Sequence, residues 1–296
     1  MVRSTLCAIV PLLLILGQTS CIRENLQQCE EEYFVTIKVV DALTGEDITT
    51  SGEVKHVDLF VFDANEQYSY TISVNSNYIL QKIPIPITLE NTDCYWISVW
   101  GNLDGNQQSH YPKSTSILDD LFVTTATDDH FFGIAQTGKS QKSQIKNEEI
   151  IISRKNARMY LTVRGLPTLH KAADYYFIIH LNNKGYNYKG VPISKTIAIK
   201  QNGITLANND FVSPSAFCLV HTDTTRKDYV TIDLYKKLDF GNVKDTLIAN
   251  IDSDLNGTPI VLPAGRTTNL LIDLRREISI HLKTTPWNNT EQWVEW

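Results

Sequence analysis

The strongest constraint on the fold is a two-residue rhythm that runs through most of the chain. "VTIKVVD" puts Val35, Ile37 and Val39 on one face, with Thr36 and Lys38 between them. "VDLFVFD" puts Val57, Leu59 and Val61 on one face and Phe60 and Phe62 on the other. "CYWISVWGN" alternates around Tyr95, Ile97 and Val99, and "ARMYLTVRGL" around Met159, Leu161 and Val163. "DYYFIIHL", "KTIAIK", "YVTIDLY", "TNLLIDL" and "ISIHL" follow the same rule. This period marks half-buried β-strands, and the β-branched and aromatic side chains suit a pleated surface. No amphipathic helix longer than two turns stands out. "STSILDDLF", from Ser114 to Phe122, is the best short helical candidate.

Turn residues separate the strands. "DANE", "NLDGN", "NNKG", "QNG", "SDLNG" and "LPAG" place Gly, Asn, Asp or Pro between apolar runs. "KTIAIKQNGITLAN" reads as a β-hairpin turning at Asn202-Gly203. Serial strands with turns every ~8–12 residues predict antiparallel sandwiches. About fourteen strands exceed one small sandwich, so two all-β domains are expected in tandem. The polar stretch Ser140 to Asn147 precedes a fresh strand series, which puts the boundary near Asn156. The resulting division is a leader over 1–20, an N-terminal sandwich over 21–155 and a C-terminal sandwich over 156–296.

The leader has its own physics. Arg3 supplies a positive start, and Leu6 to Leu16 is an almost unbroken apolar run. That run fits the apolar region of an export signal and is too short for a membrane span, which needs ~20 residues. Thr19 and Ser20 are small and lead into Cys21, the pattern of a lipoprotein cleavage site; Gln18 departs from the Leu-like residue common there. Cys21 is the expected lipidation site. Several acyl chains on one cysteine hold a protein at a membrane, whereas a single chain binds only marginally. The whole chain carries 27 basic and 33 acidic side chains, a net charge of −6. No basic block occurs, which argues against nucleic acid as a partner. Cys7 leaves with the leader, so Cys29, Cys94 and Cys218 remain. That odd number leaves at least one thiol unpaired, and the spacings fit no metal motif.

Candidate chemistry is sparse. The seven histidines form no i, i+2 or i, i+4 pair with one another. Asp128, Asp129 and His130 form the densest polar cluster; they could bind a metal or act as an acid–base pair, but a solvated loop before the strand "FFGIA" is the better account. "DSDLNG", Asp252 to Gly257, resembles the first half of a calcium loop, but position twelve is Pro263 where a bidentate Glu belongs. A turn tipped by Asn256-Gly257 explains the same residues. No phosphate loop, Gly-x-Ser-x-Gly or His-Glu-x-x-His motif is present. The expectation is therefore a protein that is not an enzyme, with no catalytic, metal or cofactor-binding residue. Trp96 and Trp100 share one strand face and could serve as a glycan platform or as core. Trp287, Trp293 and Trp296 crowd the C-terminus, where apolar groups this large are expected to bury against their own domain or a partner.

In order along the chain stand the leader, "CEEEYFVTIKVVD", "VDLFVFDANEQ", "YWISVWGN", "DDHFFGIA", "ISRKNARMYLTVRGL", "LPAGRTTNLLIDL" and a Trp-bearing end. In this order the chain resembles the FimB/Mfa2 family of fimbrial anchor lipoproteins from Bacteroidales. The resemblance implies two transthyretin-like β-sandwiches and a structural role in type V fimbriae. Subunits of such fibres join by strand addition, in which an extended segment completes a neighbour's open sheet. It further implies a lipid-anchored outer-membrane protein at a fimbrium's base. Such a protein limits fibre length and has other fimbrial subunits as partners. Stalk subunits lose their first strand to an arginine-specific protease. Here no arginine lies between Arg23 and Arg154, which favours an anchor. The alternatives are a stalk or tip subunit of the same family, or a carbohydrate-binding surface lipoprotein.

Overall fold

The computed structural model describes residues 31–89, 94–103, 112–123, 129–137, 146–167, 174–238, 244–291 and 293. Within the N-terminal half the strands are β1 (Glu31–Val40), β2 (His56–Phe62), β3 (Tyr68–Asn75), β4 (Ile85–Leu89), β5 (Trp96–Gly101), β6 (Leu121–Val123), β7 (Phe131–Gln136) and β8 (Lys146–Arg154). Seven of them form one sheet in the order β3-β2-β5-β7-β8-β1-β4. The alternation has its expected result. Val35, Ile37 and Val39 face the same core as Val57, Leu59, Val61, Ile97, Val99 and Ile152. Helix is limited, among the described residues, to one five-residue α-helix, α1 (Ser76–Leu80), and short 3-10 turns.

The C-terminal half holds β9 (Asn156–Arg164), β10 (Tyr175–Asn187), β11 (Pro192–Asn202), β12 (Ile204–Thr205), β13 (Phe211–Val212), β14 (Phe217–Val220), β15 (Thr231–Lys236), β16 (Thr246–Ile251), β17 (Arg266–Asp273) and β18 (Ser279–Pro286). One sheet runs β11-β10-β15-β16. The other runs β12-β13-β9-β17-β18, with β14 also on β9. They enclose a second core that includes Met159, Leu161, Phe177, Ile179, Leu234 and Leu270. The two halves meet where β8 ends at Arg154 and β9 begins at Asn156, with only Lys155 between them.

Two local expectations fail. Ser114 to Phe122 is not helical. Backbone bonds from Ser116 to Lys113 and from Asp120 to Ile117 close successive turns, and the segment then enters β6. The Asp120 carboxylate also accepts from the Ile117 N–H, the kind of local bond that competes with a helix. Asn202-Gly203 is not a hairpin turn either. β11 pairs with β10, whereas β12 pairs with β13 in the opposite sheet, so the chain crosses between sheets at Gly203. Glycine is required there because a Cβ would stand 2.3 Å from the Phe211 ring.

Candidate anchoring and assembly site

The N-terminal strand is part of the sheet interior. β1 runs parallel to β8 from Tyr33↔Lys146 to Val40↔Ser153 and antiparallel to β4 from Glu31↔Leu89 to Val35↔Ile85. Val35 and Ile37 are at most 2 % exposed. A strand bonded on both sides and buried on one face cannot leave without exposing two ladders and a row of apolar pockets. Cys21 lies outside the described residues, ten positions before Glu31, and Cys29 lies outside them as well. Among the described residues, Cys94 and Cys218 form no disulfide with each other.

Between the halves lies a third apolar cluster, made mostly of aromatic rings. Phe60, Phe62 and Trp100 from the N-terminal sheet meet Tyr186 and Tyr188 from the end of β10, with Leu118 and Phe122 wedged among them. The Phe122 and Tyr188 rings stack 4.4 Å apart, and Phe60 meets Phe122 edge-on at 4.9 Å. Such pairs add ~0.5–1.5 kcal/mol each beyond their buried area. β6 lies N-terminal to Lys155 in sequence, yet it pairs with β10 of the second half. Gly190, at φ +69, lets the chain pass so close to Phe132 that a Cβ would clash at 2.4 Å. Polar groups complete the seam. The Ser98 hydroxyl donates to the Tyr188 carbonyl, and Lys189 Nζ lies 2.9 Å from Glu66. Arg266 Nη2 reaches Asp41 at 3.2 Å.

Lys155, the sole connecting residue, sits inside this seam. Its ammonium lies over the Phe132 and Tyr186 rings, 5.1 and 5.8 Å from their centroids. Burial pulls its pKa down to about 8. Its carbonyl accepts from the Tyr186 hydroxyl at 3.0 Å, and that hydroxyl lies 2.9 Å from His221 Nδ1. Burial, reinforced by the Lys155 cation, lowers the His221 pKa to about 4. These groups escaped sequence reasoning, because lone His and Lys residues in unrelated strands carry no spacing signal. The double-faced apolar pattern of "VDLFVFD" did carry one, since a strand apolar on both faces is covered on both.

The other sequence candidates resolve into structural roles. Asp129 accepts from Arg154 Nε at 2.8 Å, and Arg154 Nη2 lies 2.8 Å from Glu53. His130 is buried with Nδ1 3.2 Å from the Asn102 carbonyl, while Asp128 lies outside the described residues. Asp254 accepts the N–H groups of Asn256 and Thr258, and Gly257 takes φ +77, as the turn reading requires. Trp100 is fully buried in the seam and Trp96 packs against it, so the two form no open platform.

The chain's end returns across the outer face of the second half. Trp287 lies between the guanidinium groups of Arg154 and Arg158, at 5.0 and 5.2 Å. Its carbonyl accepts from Arg158 and from Thr267. The fully buried Asn269 accepts from the Glu291 N–H at 2.9 Å, and Arg164 donates to the Trp293 carbonyl. This strap covers the outward side chains of β9 and β17. Trp287 thus buries where the two halves meet, between Arg154 and Arg158, and Trp293 packs half-buried against the second half, while Trp296 lies outside the described residues.

Comparison with known proteins places this architecture. The chain is 25 % identical over 306 residues to the major fimbrium anchoring subunit FimB of two Porphyromonas gingivalis strains, ATCC 33277 and W83, with 97 % of each chain covered. The solved fimbrial anchor protein Mfa2 from Porphyromonas gingivalis shares the fold at a TM-score of 0.62 and 12 % identity, over 88 % of this chain and 98 % of that one. A solved DUF1812 protein from Bacteroides thetaiotaomicron does so at a TM-score of 0.65 and 13 % identity, over 89 % and 99 %. Residues 26–293 match the model of one family. From strand pattern, fold and this match together, the chain belongs to the family of fimbrillin-A associated anchor proteins Mfa1 and Mfa2.

Proposed function

We propose that the protein is an outer-membrane lipoprotein that anchors a fimbrium to the cell surface and limits its length. Cys21 carries the lipid, and a neighbouring fimbrial subunit joins by β-strand addition. The role is mechanical and not catalytic. The observation that carries this reading is β1, bonded to β8 from Tyr33 to Val40 and to β4 from Glu31 to Val35. A subunit that must accept a donor strand needs a vacant place in its sheet, and here the chain's own first strand fills it. Arginine-specific cleavage would leave that strand in place, because the first arginine after Arg23 is Arg154, which is ion-paired and only 6 % exposed. The nine residues between Cys21 and Glu31 let the two lie at most ~36 Å apart, so the sandwich stands close to the lipid surface. The names of the FimB and Mfa2 relatives agree with this role.

Replacing Cys21 with Ala tests the reading in cells. Fibres shed into the medium, and altered in length, are expected. Fibres that stay cell-attached at normal length would refute the anchor role. The intact mass of the mature protein should place its N-terminus at Cys21. An N-terminus beyond Val40 would identify a processed stalk subunit instead.

A further inference from the structure

Each sheet ends in two edge strands, and most of the long ones are guarded. Pro86 interrupts β4, Lys195 and Lys200 stand on β11, and Lys283 and Pro286 stand on β18. Charge and proline on an edge discourage pairing with another chain. β3 carries neither. Its eight residues, "YSYTISVN", hold no charge and no proline, and it is the last strand of its sheet.

The chain starts a partner for β3 and then abandons it. Gln67 bridges Ile117, the Tyr68 N–H donates to the Ser116 carbonyl, and the Leu118 N–H donates to the Glu66 carbonyl. A turn closed by the Ser116 N–H on the Lys113 carbonyl ends the pairing. Farther along β3, the ladder to β2 fixes where the main chain points. The His56 carbonyl accepts from the Asn102 N–H, on the β5 side. The next residue, Val57, therefore turns its groups toward its partner Val74, and Ile72 and Val74 bond inward to β2. The N–H and carbonyl groups of Thr71 and Ser73 point the other way, to the open edge. The side chains of Tyr70, Ile72 and Val74 pack on the core, so a strand laid beside them would extend its rim. Exposed Ile117 lies beside the start of β3, and exposed Tyr78 and Leu80 follow its end on α1.

We propose that the free edge of β3, from Thr71 to Asn75, is where the adjoining fimbrial subunit adds its strand, an extended uncharged segment with alternating apolar side chains. This rests on the anchoring role proposed above. β1 already fills the interior of its sheet, so an added strand can lie only along an edge. β3 and β4 are the two edges of that sheet, and β4 carries the proline. An edge without charge suits a segment selected by main-chain bonds and apolar contacts. The added strand continues the line that Ser116 to Leu118 begins.

The test uses cells that make the full chain, and amide exchange on the mature protein. Thr71→Pro deletes one outward N–H and leaves the ladder to β2 intact. Thr71→Val keeps that N–H and loses only the hydroxyl, which lies 2.9 Å from the Tyr68 hydroxyl. Thr71→Pro is expected to raise the share of fibres shed into the medium about tenfold, as the loss of one main-chain bond implies. Thr71→Val should shed no more than the parent. In the unaltered mature chain alone, the Thr71 and Ser73 amides should exchange freely. In the chain isolated with its fibres they should slow at least about tenfold, while the amides of β16, the other uncharged edge, stay as they were. The inference is overturned if Thr71→Pro holds its fibres while Cys21→Ala sheds them, a result that leaves anchoring intact. Shedding by Thr71→Val as great as by Thr71→Pro overturns it too. So do Thr71 and Ser73 amides already slow in the isolated chain, as monomer or dimer, or fibre-dependent protection that falls on β11 or β16 instead. Fibres that stay attached even in Cys21→Ala refute the anchor role, and this inference with it.

Discussion

The two ends of the chain are attached to the molecule in opposite ways. β1 is built into the first sheet by main-chain bonds on both edges and by Tyr33, Val35, Ile37 and Val39 on its inner face. The terminal strap, Trp287 to Glu291 together with Trp293, lies across a finished sheet and is held mainly by side chains: Arg158, Thr267, Asn269 and Arg164. Main-chain ladders plus apolar burial form one cooperative unit with the core, whereas a segment held by individual side-chain bonds can open locally. The beginning of the chain is therefore expected to share the global stability of its domain, and the end to have a lower one of its own.

That contrast can be broken most decisively at Ile37. Ile37→Ala should lower the unfolding free energy by ~2–5 kcal/mol, read from a urea midpoint shift at unchanged slope. A loss below about 0.5 kcal/mol would mean that β1 is peripheral to the core. The next effect sharpens the role of the seam. An unfolded histidine titrates near 6.5, and His221 is held at about 4 in the fold. Its neutral form therefore contributes stability that is complete above pH ~6.5 and is lost as pH falls through about 4. That contribution is roughly 2–3 kcal/mol once its partial exposure is allowed for. The fall in urea midpoint between pH 7 and 4 should be smaller in His221→Gln than in the parent. Equal falls would remove His221 from the account. The smallest effect belongs to the strap. Asn269→Ala should cost ~1 kcal/mol globally, while amide exchange over 287–291 accelerates and that of β1 does not. Acceleration at both ends would show that the ends are not independent.

Most of the fold was legible because a half-buried strand writes its period into the sequence. "VTIKVVD" and "VDLFVFD" gave the core faces of β1 and β2 directly. The misreadings occurred where tertiary contacts override local chemistry. Asn202-Gly203 has the composition of a tight turn, but Gly203 serves the close passage of Phe211, a residue whose proximity no local pattern reveals. "STSILDDLF" has helical spacing, but Leu118 and Phe122 answer to the seam between the halves and not to a helix face. The "DSDLNG" turn was readable because its Asp–Asn–Gly chemistry is local. Of the candidate site, Cys21 was readable from the leader alone. The cavity beside Tyr160 was not, since its walls come from β9, the turn before β13 and the chain's tail, with more than 120 positions between strand and tail.

The direct passage of β8 into β9 has a mechanical consequence. β1 and β8 run parallel, with the start of one beside the start of the other. A chain held at its N-terminus and pulled through its second half would draw β1 backward and β8 forward along the same axis. The hydrogen bonds between them would then be loaded side by side and in shear, so that no single bond could fail before the rest. With Lys155 alone between the halves, and its flanks locked in strands, little slack would be taken up before that ladder bore the force.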